Sequence, residues 1–257
     1  MSDTIEPGPF GIAVGALSMA AMLLLARLRG FDLLRKGLWA ATRAALQLFA
    51  VGLVLDQTFT MQSGALVLTI IAIMSMIAGA TAASQIPPLG HRAIVQMTLI
   101  LGTVTSGLLA VGLWFALGVP GFPARYAVPL GGILLGNALT AATLAANRYL
   151  QHLSEHRAEI ETALGLGATP RQADQRARTA AFSTAVTPVL NAMMVVGVVK
   201  LPGMMSGQML GGSSPQTAAQ YQLLVLFLLA AGDGLSALWT LTWLQRRAFN
   251  RAWQLQI

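Results

Sequence analysis

The side chains best suited to metal chemistry fall in one short run. His152, Glu155 and His156 spell H-x-x-E-H, which sets two imidazoles about one helical turn apart beside a carboxylate, as in one class of zinc peptidases. The flanking residues, EHRAEIE, read equally well as a charged, solvated helix face. A second group is the methionines, notably Met193, Met194, Met204, Met205 and Met209. Thioethers ligate soft ions such as Cu(I), and methionine is also an ordinary filler of irregular cores. Other catalytic signatures are missing: there is no G-x-S-x-G and no H-E-x-x-H. Neither lysine precedes Ser or Thr, since Lys36 is followed by Gly37 and Lys200 by Leu201, so no P-loop is present. No cofactor is expected. The 257 residues include no cysteine, which removes disulfides and thiolate sites.

Polar side chains inside apolar runs are the other candidates. Arg43 and Gln47 stand at i and i+4 and share a helix face; Asn137, Asn191 and Asp233 interrupt three further runs. Ionisable and amide groups at membrane depth are expensive to keep. They either line a path for a polar substrate or hydrogen-bond between helices, and Arg43 can also snorkel to the interface. For Asp233 the path is the better account, because a buried carboxylate has fewer structural uses. Gly132 and Gly136 form G-x-x-x-G, a spacing that permits close helix approach.

These residues need elements to hold them, and composition names the elements. Hydrophobic residues make up 55% of the chain and charged residues 10%, against about 25% charged in soluble domains. The apolar residues cluster in runs close to the ~20 needed to span a bilayer. The pattern predicts an all-α polytopic bundle, a single transmembrane domain over 1–257. About seven spans are expected: 10–26, 38–55, 64–84 (stopping before Pro87 and Pro88), 94–117, 127–146, 181–199 and 221–243. The acidic start, MSDTIEPGPF, lacks the basic opening of a signal peptide, so the first span is expected to be retained. Fourteen of the 16 Lys and Arg residues fall in alternate loops and the tail on one side, leaving Arg125 and Lys200 on the other. The positive-inside rule then puts the N-terminus outside and the C-terminus in the cytoplasm, in the cytoplasmic (inner) membrane. The net charge of +7 is thereby a topology signal. Nucleic acid binding would need a basic patch with stacking aromatics, and none is present.

The longest polar stretch, residues 147–180, is predicted to be two helical pieces, 155–164 and 171–181, around a break at Gly165, Gly167 and Pro170. It resembles the EAA loop with which ABC importers meet their ATPases, through Glu161, Ala163, Leu164, Gly165, Gly167, Ala168 and, further on, Pro188. As a whole the chain resembles the FetB-type permeases, membrane subunits of an iron-exporting ABC transporter, whose plant relatives are linked to aluminium tolerance. The motifs are RAALQLFAVGLVL at 43–55, PLGGILLGNAL at 129–139, IETALGLGATPRQA at 160–173 and TPVLNAMMVVGVVKLPGMMSGQMLGGSSPQTAAQYQ at 187–222. The resemblance implies a homodimer, a separate cytoplasmic ABC ATPase as partner and a metal ion, iron in particular, as substrate. The expected path is Arg43, Gln47, Asn137, Asn191, Met204, Met205, Gln208 and Asp233. The Gly-rich loop 201–216 is expected to be re-entrant or partly buried, since irregular backbone at membrane depth survives only under cover of protein or a cavity. The rival readings are an ion-coupled secondary carrier, for which no inverted repeat is visible, and a membrane-embedded metallohydrolase built on His152 and His156.

Overall fold

The computed structural model describes residues 8–61, 63–86, 91–119 and 123–256; the acidic start (residues 1–7), Pro87 and Pro88 lie outside them. The described residues are helical, with two isolated β-bridges, Val196 to Lys200 and Phe249 to Leu255, and no sheet among them. They form two compact units. The first contains α1 (Pro9–Leu28) and α2 (Leu34–Met61), which pack on each other, with Leu23 buried over Gly37. Little else is covered there: Leu46, Leu48, Phe49 and Leu53 of α2 are all exposed, as expected of a surface meant for lipid or protein.

The second unit carries α3 (Gly64–Gln85), α4 (His91–Ala110), α5 (Ala124–Glu155), α6 (Arg157–Gly165), α7 (Pro170–Ala173), α8 (Gln175–Val195), α9 (Gly203–Leu210) and α10 (Pro215–Ala248). At its centre is α5, which packs against α3, α4, α8 and α10. Its composition explains this position. Ala138, Ala141, Ala142, Ala145 and Ala146 are all buried, and side chains this small let several backbones approach one helix. The face of α5 bearing Gly136, Asn137 and Thr140 is left exposed. The G-x-x-x-G pair does not seat one helix within this chain: Gly132 meets Met74 of α3, whereas Gly136 has open space around it.

Five described helices are long and apolar enough to cross a membrane: α1, α3, the stretch Arg92–Ala116, α5 and α10. The other two long helices match the expected second and sixth spans in position. Their apolar runs are diluted, α2 by Arg35, Lys36, Arg43 and Gln47, α8 by Arg176, Arg178 and the polar run Thr179, Ser183, Thr184, Thr187 and Asn191. Beyond α4 the helix continues as a π-helical turn, Val111–Ala116. At 32 and 34 residues, α5 and α10 are about 50 Å long, well beyond the ~30 Å hydrocarbon core. Their ends therefore project, which hydropathy alone did not foresee for the fifth span.

Among the described glycines, Gly79 has the tightest surroundings, where α3 meets α4. A Cβ on Gly79 would lie 2.5 Å from the backbone nitrogen of Thr98. Backbone cannot step aside as a flexible side-chain tip does, so Gly79→Val is expected to destabilise the unit by about 2 kcal/mol or more. The check is thermal aggregation in detergent, where a midpoint equal to that of the parent protein would contradict the crossing.

Candidate functional site

Residues from α5, α8, α9 and α10 line a half-open cavity of about 320 Å³ in the second unit. Asp233 enters it from near the middle of α10 and Asn137 from near the middle of α5. Met204 contributes from the first turn of α9, and Lys200 from the segment leading into it. Pro188, which has no N–H to donate to the α8 ladder, forms part of the wall; apolar side chains such as Val189, Val225 and Leu229 form much of the rest. Asp233 is only 4% exposed and Gln222 only 6%. Oδ1 of Asp233 and Oε1 of Gln222 are buried without a hydrogen-bond partner among the described residues. Asn137 is exposed, its side chain donating to the carbonyl of Ile133 one turn earlier.

The expected path residues divide accordingly. Asn137, Met204 and Asp233 line this one cavity. Met205 and Gln208 are half-buried on α9, and Asn191 lies on an exposed face of α8. Arg43 and Gln47 are exposed on α2, in the first unit. The 201–216 loop is partly helical: residues 203–210 form α9, and the capped turn at Ser214 starts α10, with Thr217 N–H donating to Ser214 Oγ. Gln222 was not among the expected residues. Its signal was present, because it stands 11 residues before Asp233, close to three full turns, on the same face as Val225, Leu226 and Leu229.

A second polar centre lies toward the basic end of the molecule. Asp174, at the junction of α7 and α8, has no solvent exposure. It accepts from Tyr149 Oη of α5 at 2.7 Å, from Gln245 Nε2 of α10 at 2.9 and 3.0 Å, and from Arg178 Nε at 3.1 Å. Burial pushes the Asp174 carboxyl above the usual carboxylate range, against the pull of the Tyr149, Arg178 and Gln245 contacts. Four helices thus meet on one carboxylate. Asp174 carries no signal in the sequence, because it stands in a polar stretch where an acidic residue is common.

The polar stretch folds as α6, a turn over residues 166–169, and α7. Glu161, Ala163, Leu164 and Gly165 lie on α6, with Glu161 accepting from Arg157 Nε at 2.8 Å, both half exposed. The turn after α6 places Gly167 at a φ of +93°, a left-handed conformation that closes the helix, and leaves Leu166 85% exposed at the tip. Ala168 follows and donates to the carbonyl of Ala163. Thr169 and Gln172 form a capping box that starts α7. The C-terminal residues fold back beside α6: Arg157, Glu161, Leu164 and Gly165 face Ala252–Leu255 across a cleft. His152 and His156 stack, with ring centroids 4.1 Å apart. Glu155 accepts from Gln151 instead of joining them, and no group of three His, Cys, Asp or Glu side chains among the described residues is placed to hold a metal ion.

The family described as "Uncharacterised protein family (UPF0014)" matches residues 10–249. The UPF0014 membrane protein slr1647 of Synechocystis is 37% identical over 96% of this chain and 95% of its own length. Protein ALUMINUM SENSITIVE 3 of Arabidopsis thaliana is 31% identical over 85% of this chain and 79% of its own. The "Probable iron export permease protein FetB" of Escherichia coli is 28% identical over 96% of this chain and 94% of its own. No solved structure matches.

Proposed function

We propose, because this chain belongs to the UPF0014 family of membrane proteins, that it is the permease subunit of an ABC transporter. It exports a metal, iron first among candidates, across the inner membrane. The single observation that carries this reading is the cavity at mid-helix, where a buried, unpartnered carboxylate and a buried, unpartnered amide face a common space. Such groups are costly inside a membrane and mark a substrate route by default. The iron in this reading comes from the name of the Escherichia coli relative. In it the chain makes seven spans, with the N-terminus outside and the C-terminus in the cytoplasm, as the Lys and Arg distribution directs. The chain hydrolyses nothing itself. A separate ABC ATPase docks on the α6–α7 turn, and two copies of the permease form the transmembrane pathway, with the exposed Asn137 face of α5 available to the second copy.

Efflux of radioactive iron from cells or inverted vesicles containing permease and ATPase tests the reading. Asp233→Leu is expected to lower the efflux rate at least about tenfold, equivalent to about 1.4 kcal/mol, while membrane insertion and ATPase association stay intact. Efflux at the parent rate would remove the cavity from the pathway.

A further inference from the structure

The cavity's chemistry bears on the form in which its cargo travels, an argument that rests on the permease reading above. We infer that the cargo enters enclosed in a small organic shell that donates hydrogen bonds, so that iron passes as a chelate and not as a bare ion. Three observations converge. First, a hard cation held directly by protein takes several oxygen or nitrogen ligands. The cavity offers one anionic ligand, Asp233, beside the neutral side chains of Asn137, Thr140 and Gln222, and no group of three His, Cys, Asp or Glu side chains among the described residues is placed to hold a metal ion. Second, the charged residues of the lining are Asp233 and the exposed Lys200, one of each sign, so the lining carries no net negative charge to hold a bare multivalent cation. Third, the volume, about 320 Å³, is far larger than an ion needs. It falls at the lower edge of the roughly 300–1,000 Å³ typical of sites for small organic ligands, which are likewise apolar with a few placed polar groups.

The polar groups also specify what that ligand must present. Asp233 Oδ1 and Gln222 Oε1 are acceptors, each on a side chain more than nine-tenths buried and each without a donor among the described residues. Buried polar atoms in folded proteins almost always find a partner. A ligand bearing N–H or O–H groups on its outer surface supplies it, while apolar parts of the shell meet Val189, Val225 and Leu229. A bare ion would satisfy the two acceptors but leave these walls without contact.

The test measures equilibrium binding to the full-length permease, with its ATPase, in lipid nanodiscs. Three probes are compared: ferrous iron with reductant, iron(III) acetohydroxamate, whose ligands carry N–H donors, and acetohydroxamic acid alone. Iron(III) acetohydroxamate is expected to bind, and ferrous iron alone to bind at least about tenfold more weakly. Asp233→Leu and Gln222→Leu should each weaken the chelate about tenfold or more, with ATPase association in the same preparation showing that the fold is kept. Gln222→Glu, which keeps an acceptor, should retain binding. Tight binding of ferrous iron with no binding of the chelate would overturn the inference and leave the permease reading standing, with the missing ligands sought on the second copy. Equal binding of acetohydroxamic acid alone would support the organic shell and remove iron from the proposed cargo. Failure of all three probes would overturn the inference; failure of ATPase association and iron efflux in the parent protein would overturn the permease reading as well.

Discussion

On the permease reading proposed above, Glu161→Lys, Gly167→Trp and Leu166→Asp are each expected to abolish co-purification of the chain with an ABC ATPase while leaving it inserted in the membrane. On that reading ATP is hydrolysed by the partner, so work has to enter through an element that another protein can grip. The α6–α7 turn is short, capped at both ends and tipped by an apolar side chain, Leu166, that is 85% exposed. An apolar side chain presented at a helix end can seat in a hydrophobic groove of another protein. Glu161→Lys replaces the Arg157 pair, held at 2.8 Å, with two like charges one turn apart. The direct effect on stability is small for an exposed pair, so a loss of binding would report on the interface. Gly167→Trp adds bulk and also forces an L residue into the left-handed region, a strain of about 1–2 kcal/mol. Leu166→Asp leaves that backbone alone and separates the two effects. Loss of at least about 100-fold in affinity, near 2.7 kcal/mol, is expected for Leu166→Asp by titration in nanodiscs. Normal binding and normal coupled ATP hydrolysis in all three variants would show that the ATPase docks elsewhere.

Asp174→Ala is expected to have the largest structural effect of any single substitution toward the basic end. It would strip the acceptor from Tyr149 of α5, Gln245 of α10 and Arg178 of α8 together. Tyr149 is fully buried, so its hydroxyl would lose its partner without gaining water. A buried group left unsatisfied costs about 1–3 kcal/mol, and two or three are affected, so a loss of about 3 kcal/mol is expected. Because the carboxylate ties the α7–α8 junction to the two longest helices, the second consequence, on the permease reading, is functional. Any protein that survives folding should bind the ATPase yet transport poorly. Tyr149→Phe removes one bond and leaves the packing, and should lower stability by about 1 kcal/mol with partial transport. Chemical denaturation in detergent alongside vesicle efflux separates the two. Parent-like stability and transport in Asp174→Ala would show that the network is incidental.

The sequence by itself determined the class of the molecule and the place of its elements. Apolar runs of bilayer length leave a helix as the way to satisfy the backbone, because lipid offers no hydrogen bonds. That is why the expected runs at 64–84 and 221–243 reappear inside α3 and α10. Local chemistry also marked the break after α6, since Gly165, Gly167 and Pro170 act on their own backbone. Asp233 was legible because a carboxylate in an apolar run is conspicuous without any knowledge of its neighbours. What only the tertiary structure decided is which polar residues meet. Arg43 and Gln47 carried the same signal as Asn137, yet they stand on α2 in the first unit, whereas Asn137, Met204 and Asp233 line one cavity. Gln222 joins them through helix packing, and Lys200 through the turn between α8 and α9. The Asp174 centre lay further out of reach: Gln245 is 71 residues away from its partner in the chain, and no local pattern records a contact that exists only once α5, α8 and α10 have closed around it. Periodicity reports the environment a residue prefers; the identity of its partner is set by which backbones can approach, here through the alanine faces of α5.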